Sequence, residues 1–285
     1  MFSFLTPRPS SRPEPGLQVA ALGLALLVGC AATPPEPQGP LRPETVVAVT
    51  DAAELIRFNA GQPQRVLHRK VLKGLDAGDR LVGIDYRVAR GVLFALSASG
   101  KLYTLDADTA QLTQVGTGPS LALTGRTGFD FNPVVDRVRV VNDSGQNLRL
   151  HPDTGALVAV DTAVTGPAGV RLAGAAYTYN TRDRTLTTLY VIDLTSGALM
   201  LQGSRENVPP VVSPNTGTLT MVGPLGTGPL QDADFDIADI NNAALAALRV
   251  AGRTRLHAIN LATGQTTAIG TVGDGRALWG MAIVP

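Results

Sequence analysis

The feature that most constrains this chain is a short strand pattern, glycine–apolar–X–apolar, that returns at near-regular intervals. It is Gly83-Ile84-Asp85-Tyr86, Gly128-Phe129-Asp130-Phe131, Gly174-Ala175-Ala176-Tyr177, Asp234-Phe235-Asp236-Ile237 and Gly280-Met281-Ala282-Ile283. Counted from the third position, the copies lie 45, 46, 60 and 46 residues apart. In each copy apolar residues fall on alternate positions, the period of a strand. A repeat of about 40–50 residues built from short strands is the sequence signature of β-propeller blades.

Reading outward from each copy predicts four-stranded units. The second unit is Leu81–Tyr86, Val92–Leu96, Leu102–Leu105 and Leu112–Val115. The third is Gly128–Phe131, Val138–Val141, Leu148–Leu150 and Leu157–Val160, with Asn132-Pro133 turning its first hairpin. Units four and five continue from Gly174 and Asp234, and the extra length of unit four falls in the polar, proline-bearing stretch Gly203–Asn215. The first unit has only three strands, in Thr45–Thr50, Glu54–Phe58 and Arg65–His68, whereas one strand, Leu278–Ile283, is left over at the C-terminus. Joining the two ends completes a ring of five blades and removes a long exposed sheet edge. A six-bladed count, made by splitting unit four, leaves two blades short of strands. The expected fold is therefore all-β, a five-bladed β-propeller over residues 45–285.

Composition narrows the function classes. The 285 residues are 44% hydrophobic and 16% charged, with a net charge of +1. Arginine and lysine are dispersed, so no concentrated basic surface for nucleic acid is present in the sequence. The 31 glycines and 20 prolines sit between apolar runs, as many tight turns require. Only Asn241–Leu245 reads as locally helical. The six residues Asn142–Asn147 resemble a calcium loop in composition but lack a correctly placed glutamate, and read as a hairpin.

The N-terminus reads as an address. Arg8 and Arg12 precede an almost uninterrupted apolar run, residues 16–29, too short to span a bilayer but suited to a signal-peptide core. The run ends Leu27-Val28-Gly29-Cys30, which resembles a bacterial lipobox; an ordinary signal peptide is the alternative. This predicts a signal peptide over 1–29, lipidation of Cys30, a proline-rich tether over 30–44, and an extracytoplasmic domain anchored to a bacterial membrane. With alanine at position 31, the outer membrane is the expected destination in a host with two membranes. Cys30 is the only cysteine, so the mature domain would hold no disulfide or thiolate site.

One constellation carries possible chemistry. Alignment of the repeats sets Asp85, Asp130 and Asp236 at one level, with Ala176 and Ala282 completing it; Asp234 lies one step along the same face, and Asp232 two. If these strands line a central channel, the carboxylates converge. They would then either accept backbone N–H groups from neighbouring blades or hold a cation, for which all-oxygen ligands suit Ca²⁺. His68, His151 and His257 occupy non-equivalent positions, and no serine triad is apparent. Trp279, Tyr177, Tyr179 and Tyr190 are either core residues or a ligand platform.

From about residue 80 to 285 the chain resembles the bacterial domain-of-unknown-function family 4394, a set of secreted proteins. The resemblance rests on Gly128–Pro133, Asp136–Val141, Gly145–Arg149, Gly174–Tyr177, Leu189–Asp193 and Leu278–Gly280. It implies an extracytoplasmic, propeller-like domain and brings no catalytic residues. Asp136 with Arg137 and Arg139 reads as an inter-strand ion-pair set. The functional expectation is a binding or interaction module in the envelope with a protein or glycan partner, and no nucleic acid. The alternative is a Ca²⁺-dependent hydrolase or lyase using Asp85, Asp130 and Asp236.

Overall fold

The computed structural model describes residues 1–6, 36, 38–117 and 121–285; the apolar run 16–29 and Cys30 lie outside the described residues. The compact body spans Glu36–Pro285. Twenty strands form five antiparallel sheets of four. The first blade is β1 (Thr45–Thr50), β2 (Glu54–Asn59) and β3 (Val66–Val71), completed on its inner side by β20 (Leu278–Ile283). The second is β4 (Leu81–Arg87), β5 (Val92–Ser97), β6 (Leu102–Leu105) and β7 (Leu112–Gln114). The third is β8 (Thr127–Asn132), β9 (Arg137–Asn142), β10 (Asn147–Leu150) and β11 (Leu157–Val160). The fourth is β12 (Leu172–Tyr177), β13 (Leu189–Asp193), β14 (Ala198–Gln202) and β15 (Leu219–Pro224). The fifth is β16 (Asp232–Ile237), β17 (Ala244–Val250), β18 (Arg253–Ile259) and β19 (Thr266–Thr271).

The recurring motif is the innermost strand of every blade, and β4, β8, β12, β16 and β20 pack side by side into a closed ring. Closure follows the expected register: Val46 faces Ile283, Val47 faces Ala282, Ala48 faces Met281 and Val49 faces Gly280. A bulge follows at Thr50, which faces Leu278. The alternation of the innermost strands sends one set of side chains into the layers between blades. There Phe129 and Phe131 pack edge to face, with ring centroids 6.1 Å apart.

Glycine in the motif has a steric cause. A Cβ on Gly83 would stand 2.4 Å from the Cβ of Phe129 on the next innermost strand. One on Gly280 would stand 2.7 Å from the backbone nitrogen of Ile84. Bare α-carbons are what allow neighbouring strands to approach so closely around the axis.

Two parts of the chain differ from expectation or refine it. Residues 241–245 are not helical: Asn242 takes the left-handed turn conformation (φ 54°), and β17 begins at Ala244. Asparagine tolerates that conformation, and the buried partners of Ala244, Ile237 and Ile259, impose a strand. The residues just before β1 are fastened to the domain. Gln62 Nε2 donates to the Gly39 carbonyl (2.9 Å), and Asn59 exchanges hydrogen bonds with the backbone of Arg42 (3.0 and 2.8 Å).

Gly83→Ala should destabilise the domain by about 1–3 kcal/mol through overpacking of the ring. Urea unfolding of the two proteins checks this. An unchanged midpoint would contradict the close approach of β4 and β8.

Candidate functional site

Each innermost strand is the edge of its own sheet, so backbone groups along the axis have no strand to pair with. At one rung of the ring these are the N–H groups of Tyr86, Phe131, Tyr177, Ile237 and Ile283. Three aspartates serve all five. Asp85 accepts from Tyr86 (2.7 Å) and from Phe131 of the next strand (2.8 Å). Asp130 accepts from Tyr177 of the next strand (2.8 Å). Asp236 accepts from Ile237 (2.6 Å) and from Ile283 of the next strand (2.5 Å). Where the preceding strand offers alanine, Ala282 before β4 and Ala176 before β16, the aspartate turns one oxygen to its own following N–H. The alignment of Asp85, Asp130 and Asp236 at one level is thus observed, and so is the cross-blade pinning. All three are buried, and one oxygen of each lies within 4.8 Å of the others.

Five of the six carboxylate oxygens therefore carry a backbone hydrogen bond; the sixth is Oδ1 of Asp130. Burial raises all three acids above the ordinary carboxylate range. Asp85 is pushed up to about 7, opposed by hydrogen bonds from Asp130, Phe131 and Tyr86. Burial also dominates for Asp130, followed by the charges of Asp85 and Asp236, and Asp130 is held well above its usual value. For Asp236 burial is again first, then the charge of Asp85, against the two N–H donors. Burial and the neighbouring charges thus favour the neutral form of Asp130, which lessens the repulsion within the ring.

Asp234, grouped with these acids by its position on the strand, does not join them. It stands at the level of the motif glycines and faces a void of about 10 Å³. Its carboxyl is also raised, first by burial and then by the charge of Asp232. Asp232, a further two residues along, is ion-paired to Arg126 of β8's approach (2.5 Å), closing that end of the axis.

At the other end the channel opens. A cavity of about 340 Å³ lies beyond the aspartate ring, among residues at or just past the ends of the innermost strands: Arg87, Asn132, Tyr179 and Asp239. Tyr179 lines this cavity, and its phenol is pushed up first by burial, then by the charges of Asp85, Asp130 and Asp236. Asn242 fixes its backbone from both sides (2.8 Å each). Arg87 crosses to the third blade, where its Nε donates to Asp136 (2.8 Å) and its Nη1 to Asp153 (2.5 Å). The expected set of Asp136 with Arg137 and Arg139 is therefore corrected. The carboxylate of Asp136 pairs with Arg87, whereas Arg139 pairs with Asp161 (2.7 Å). Asp136 has a left-handed backbone (φ 49°) in the turn after Asn132, which places its side chain over the preceding blade.

The remaining aromatic candidates separate. Tyr177 is core and receives a hydrogen bond from Arg139 Nε (3.2 Å); Tyr190 is core beneath Arg205. Trp279 lies at the Arg126–Asp232 end, away from Tyr179, so these residues form no common platform. Asn142 Oδ1 accepts from Ser144 and Gln146 N–H (3.1 and 2.9 Å), the hairpin reading of that loop. Arg87, Asp239 and Arg184 of the mouth were not singled out by sequence. Their only signal is position, a few residues past the innermost strands.

The raised acids fix a pH dependence. Asp85 folds with a carboxyl near 7 against an unfolded value near 4. Its contribution is complete below about pH 4 and is lost as pH rises through about 7. Melting temperature should therefore fall between pH 5 and 8. Asp130→Asn, which keeps an acceptor for Tyr177 and a donor for Asp85, should flatten that slope. Asp236→Ala should cost about 2–5 kcal/mol by stranding two buried N–H groups. Calorimetric scans across this pH range check all three.

Among curated proteins none matches this chain. Several solved structures match at low similarity. The crystal structure of a nidogen/laminin complex matches with 9% identity and a TM-score of 0.48, over 85% of this chain and 98% of that one. Glutaminyl cyclase of Myxococcus xanthus matches with 13% identity and a TM-score of 0.46, over 73% and 83%. A structural-genomics protein of unknown function from Bacteroides thetaiotaomicron gives 12% and 0.44, over 79% and 49%. None of these likenesses transfers an activity. The family model described as a domain of unknown function (DUF4394) matches residues 54–282, all but the ends of the propeller, and the chain belongs to that family.

Proposed function

We propose that this protein is a lipid-anchored propeller of the bacterial envelope that acts as a binding module, taking its ligand at the open mouth of the central channel. The observation that carries this reading is the cavity of about 340 Å³ over the aspartate ring. It combines an apolar wall, including Phe131 and Leu186, with a few polar groups at the rim, the make-up of a small-molecule or side-chain pocket. Four exposed aliphatic residues, Val135, Val208, Val211 and Ile240, stand on loops of this same rim. Such a rim fits contact with a protein or glycan partner better than bare solvation. Anchoring rests on the apolar run 16–29 ending at Cys30.

A second reading has one specific observation in its favour. Oxygens of Asp85, Asp130 and Asp236 lie close enough together to hold a metal, which would polarise a substrate in a Ca²⁺-dependent hydrolase or lyase. The donor set fits a cation poorly, because five of the six oxygens already accept backbone N–H bonds. We therefore favour binding without catalysis.

Pull-down from detergent-solubilised envelope, with and without chelator, tests the two readings. The binding module should recover the same partner in both conditions and lose it with Tyr179→Ala, at unchanged melting temperature. Recovery abolished by chelator, with heat on Ca²⁺ titration, would favour the metal reading. Cys30→Ser should move the protein from the membrane fraction to the soluble one.

A further inference from the structure

A second cavity, of about 170 Å³, lies between the third and fourth blades, beside the channel mouth but separated from it by the Asn132 turn. Three of its lining side chains are Arg137, Arg139 and Arg149. Their convergence follows from the sheet. Arg139 of β9 faces Arg149 of β10 directly, and Arg137 lies two residues from Arg139 on the same face. Like charges directly opposite one another destabilise a sheet unless a counter-charge is supplied.

The structure supplies one. Asp161 accepts from Arg139 Nη1 (2.7 Å) and, through both oxygens, from Arg149 Nε and Nη2 (2.8 Å each). Its carboxyl is lowered by Arg149 and Arg139 against the opposing effect of burial, the largest single influence on it. Among the described residues Arg137 has no such partner; its Nη1 meets only the carbonyls of Asp136 (2.8 Å) and Val135 (3.5 Å). Two guanidinium groups thus share one carboxylate, and the third, Arg137, has none among the described residues.

The donors are also incompletely used. Arg139 is buried and spends four of its five N–H donors on Tyr177, Asn147, Asp161 and Asn215, so it orients the site more than it offers contacts to a ligand. Arg137 keeps Nε and Nη2, and Arg149 keeps Nη1, among the bonds of the described residues. The buried Tyr177 hydroxyl accepts from Arg139, while its own proton has no acceptor among the described residues. A pocket with surplus positive charge, free guanidinium edges and a spare hydroxyl donor is complementary to an oxyanion.

We propose that this inter-blade cavity binds a small oxyanion, the carboxylate or phosphate group of a ligand, between Arg137, Arg149 and the Tyr177 hydroxyl, with Arg139 as a positioning residue. The site is independent of the channel mouth. It gives a role to the arginines of Asp136–Val141 and Gly145–Arg149, and to the end of the Gly203–Asn215 loop, whose Asn215 Oδ1 holds Arg139 (2.6 Å).

The test is thermal shift and calorimetry of the whole domain with inorganic phosphate, sulfate, acetate and chloride at matched ionic strength. Phosphate and sulfate, or acetate, should raise the melting temperature where chloride does not; which of them acts distinguishes a phosphate-type from a carboxylate-type ligand. Arg137→Gln, which breaks only backbone contacts, should weaken that anion by about ten-fold or more, the loss expected for one charge-assisted contact. Tyr177→Phe should weaken it too, and Arg182→Gln, on a different loop, should not. An equal effect of all four anions would mean general screening and overturn the site. So would an Arg137→Gln protein that folds normally and responds in full.

Discussion

The structure depends on how the inner edges of five sheets are satisfied. A propeller brings the edge strand of every blade to the axis, where there is neither a further strand nor bulk water to take its N–H groups. Here three carboxylates meet five donors on one rung, and each aspartate also spans to the next strand. The same bonds that satisfy the edges therefore tie second blade to third, third to fourth, and fifth to first. The arithmetic leaves one oxygen, on Asp130, without a backbone donor, and it is this acid that burial and its neighbours hold well above the usual range. Structure and acidity on the axis have one cause.

That cause also explains the sealed and open ends. Below the ring, motif glycines let the strands close up, and Asp234 occupies the place where the fifth blade has no glycine. The Arg126–Asp232 pair then spans the end. Above the ring the chain turns outward after β4, β8, β12 and β16, and the turns differ in length, from four residues (88–91) in the second blade to eleven (178–188) in the fourth. Unequal turns leave a hollow. The cavity is thus a product of loop variation on a regular frame, the usual place for recognition on a repeated scaffold.

Much of the frame was legible in the sequence. Period-2 alternation and turn residues, local signals repeated along the chain, sufficed for the blade count, and a three-stranded first unit with one strand left over at the C-terminus sufficed for the closure. The level of Asp85, Asp130 and Asp236 followed from aligning those repeats. What escaped was pairing between blades. Nothing local marks Arg87 as the partner of Asp136, since the contact depends on a left-handed turn and on two sheets being neighbours. The Asn241–Leu245 stretch misled because alanine and leucine favour helix intrinsically, while buried partners on both sides decided for a strand. The inter-blade arginines were read as ion pairs within one blade; their surplus charge shows only when Asp161 is seen to serve two of them.

The placement of β20 has a temporal meaning. The inner strand of the first blade follows the nineteen other strands in chain order, so β1 to β3 emerge early with one edge bare. Asp236 likewise waits for Ile283. Until β20 is in place the ring cannot close and the bond between Asp236 and Ile283 cannot form. The bonds from Asp85 and Asp130 to the next strands need no part of it, so closure is a separate event from the stacking of the second, third and fourth blades.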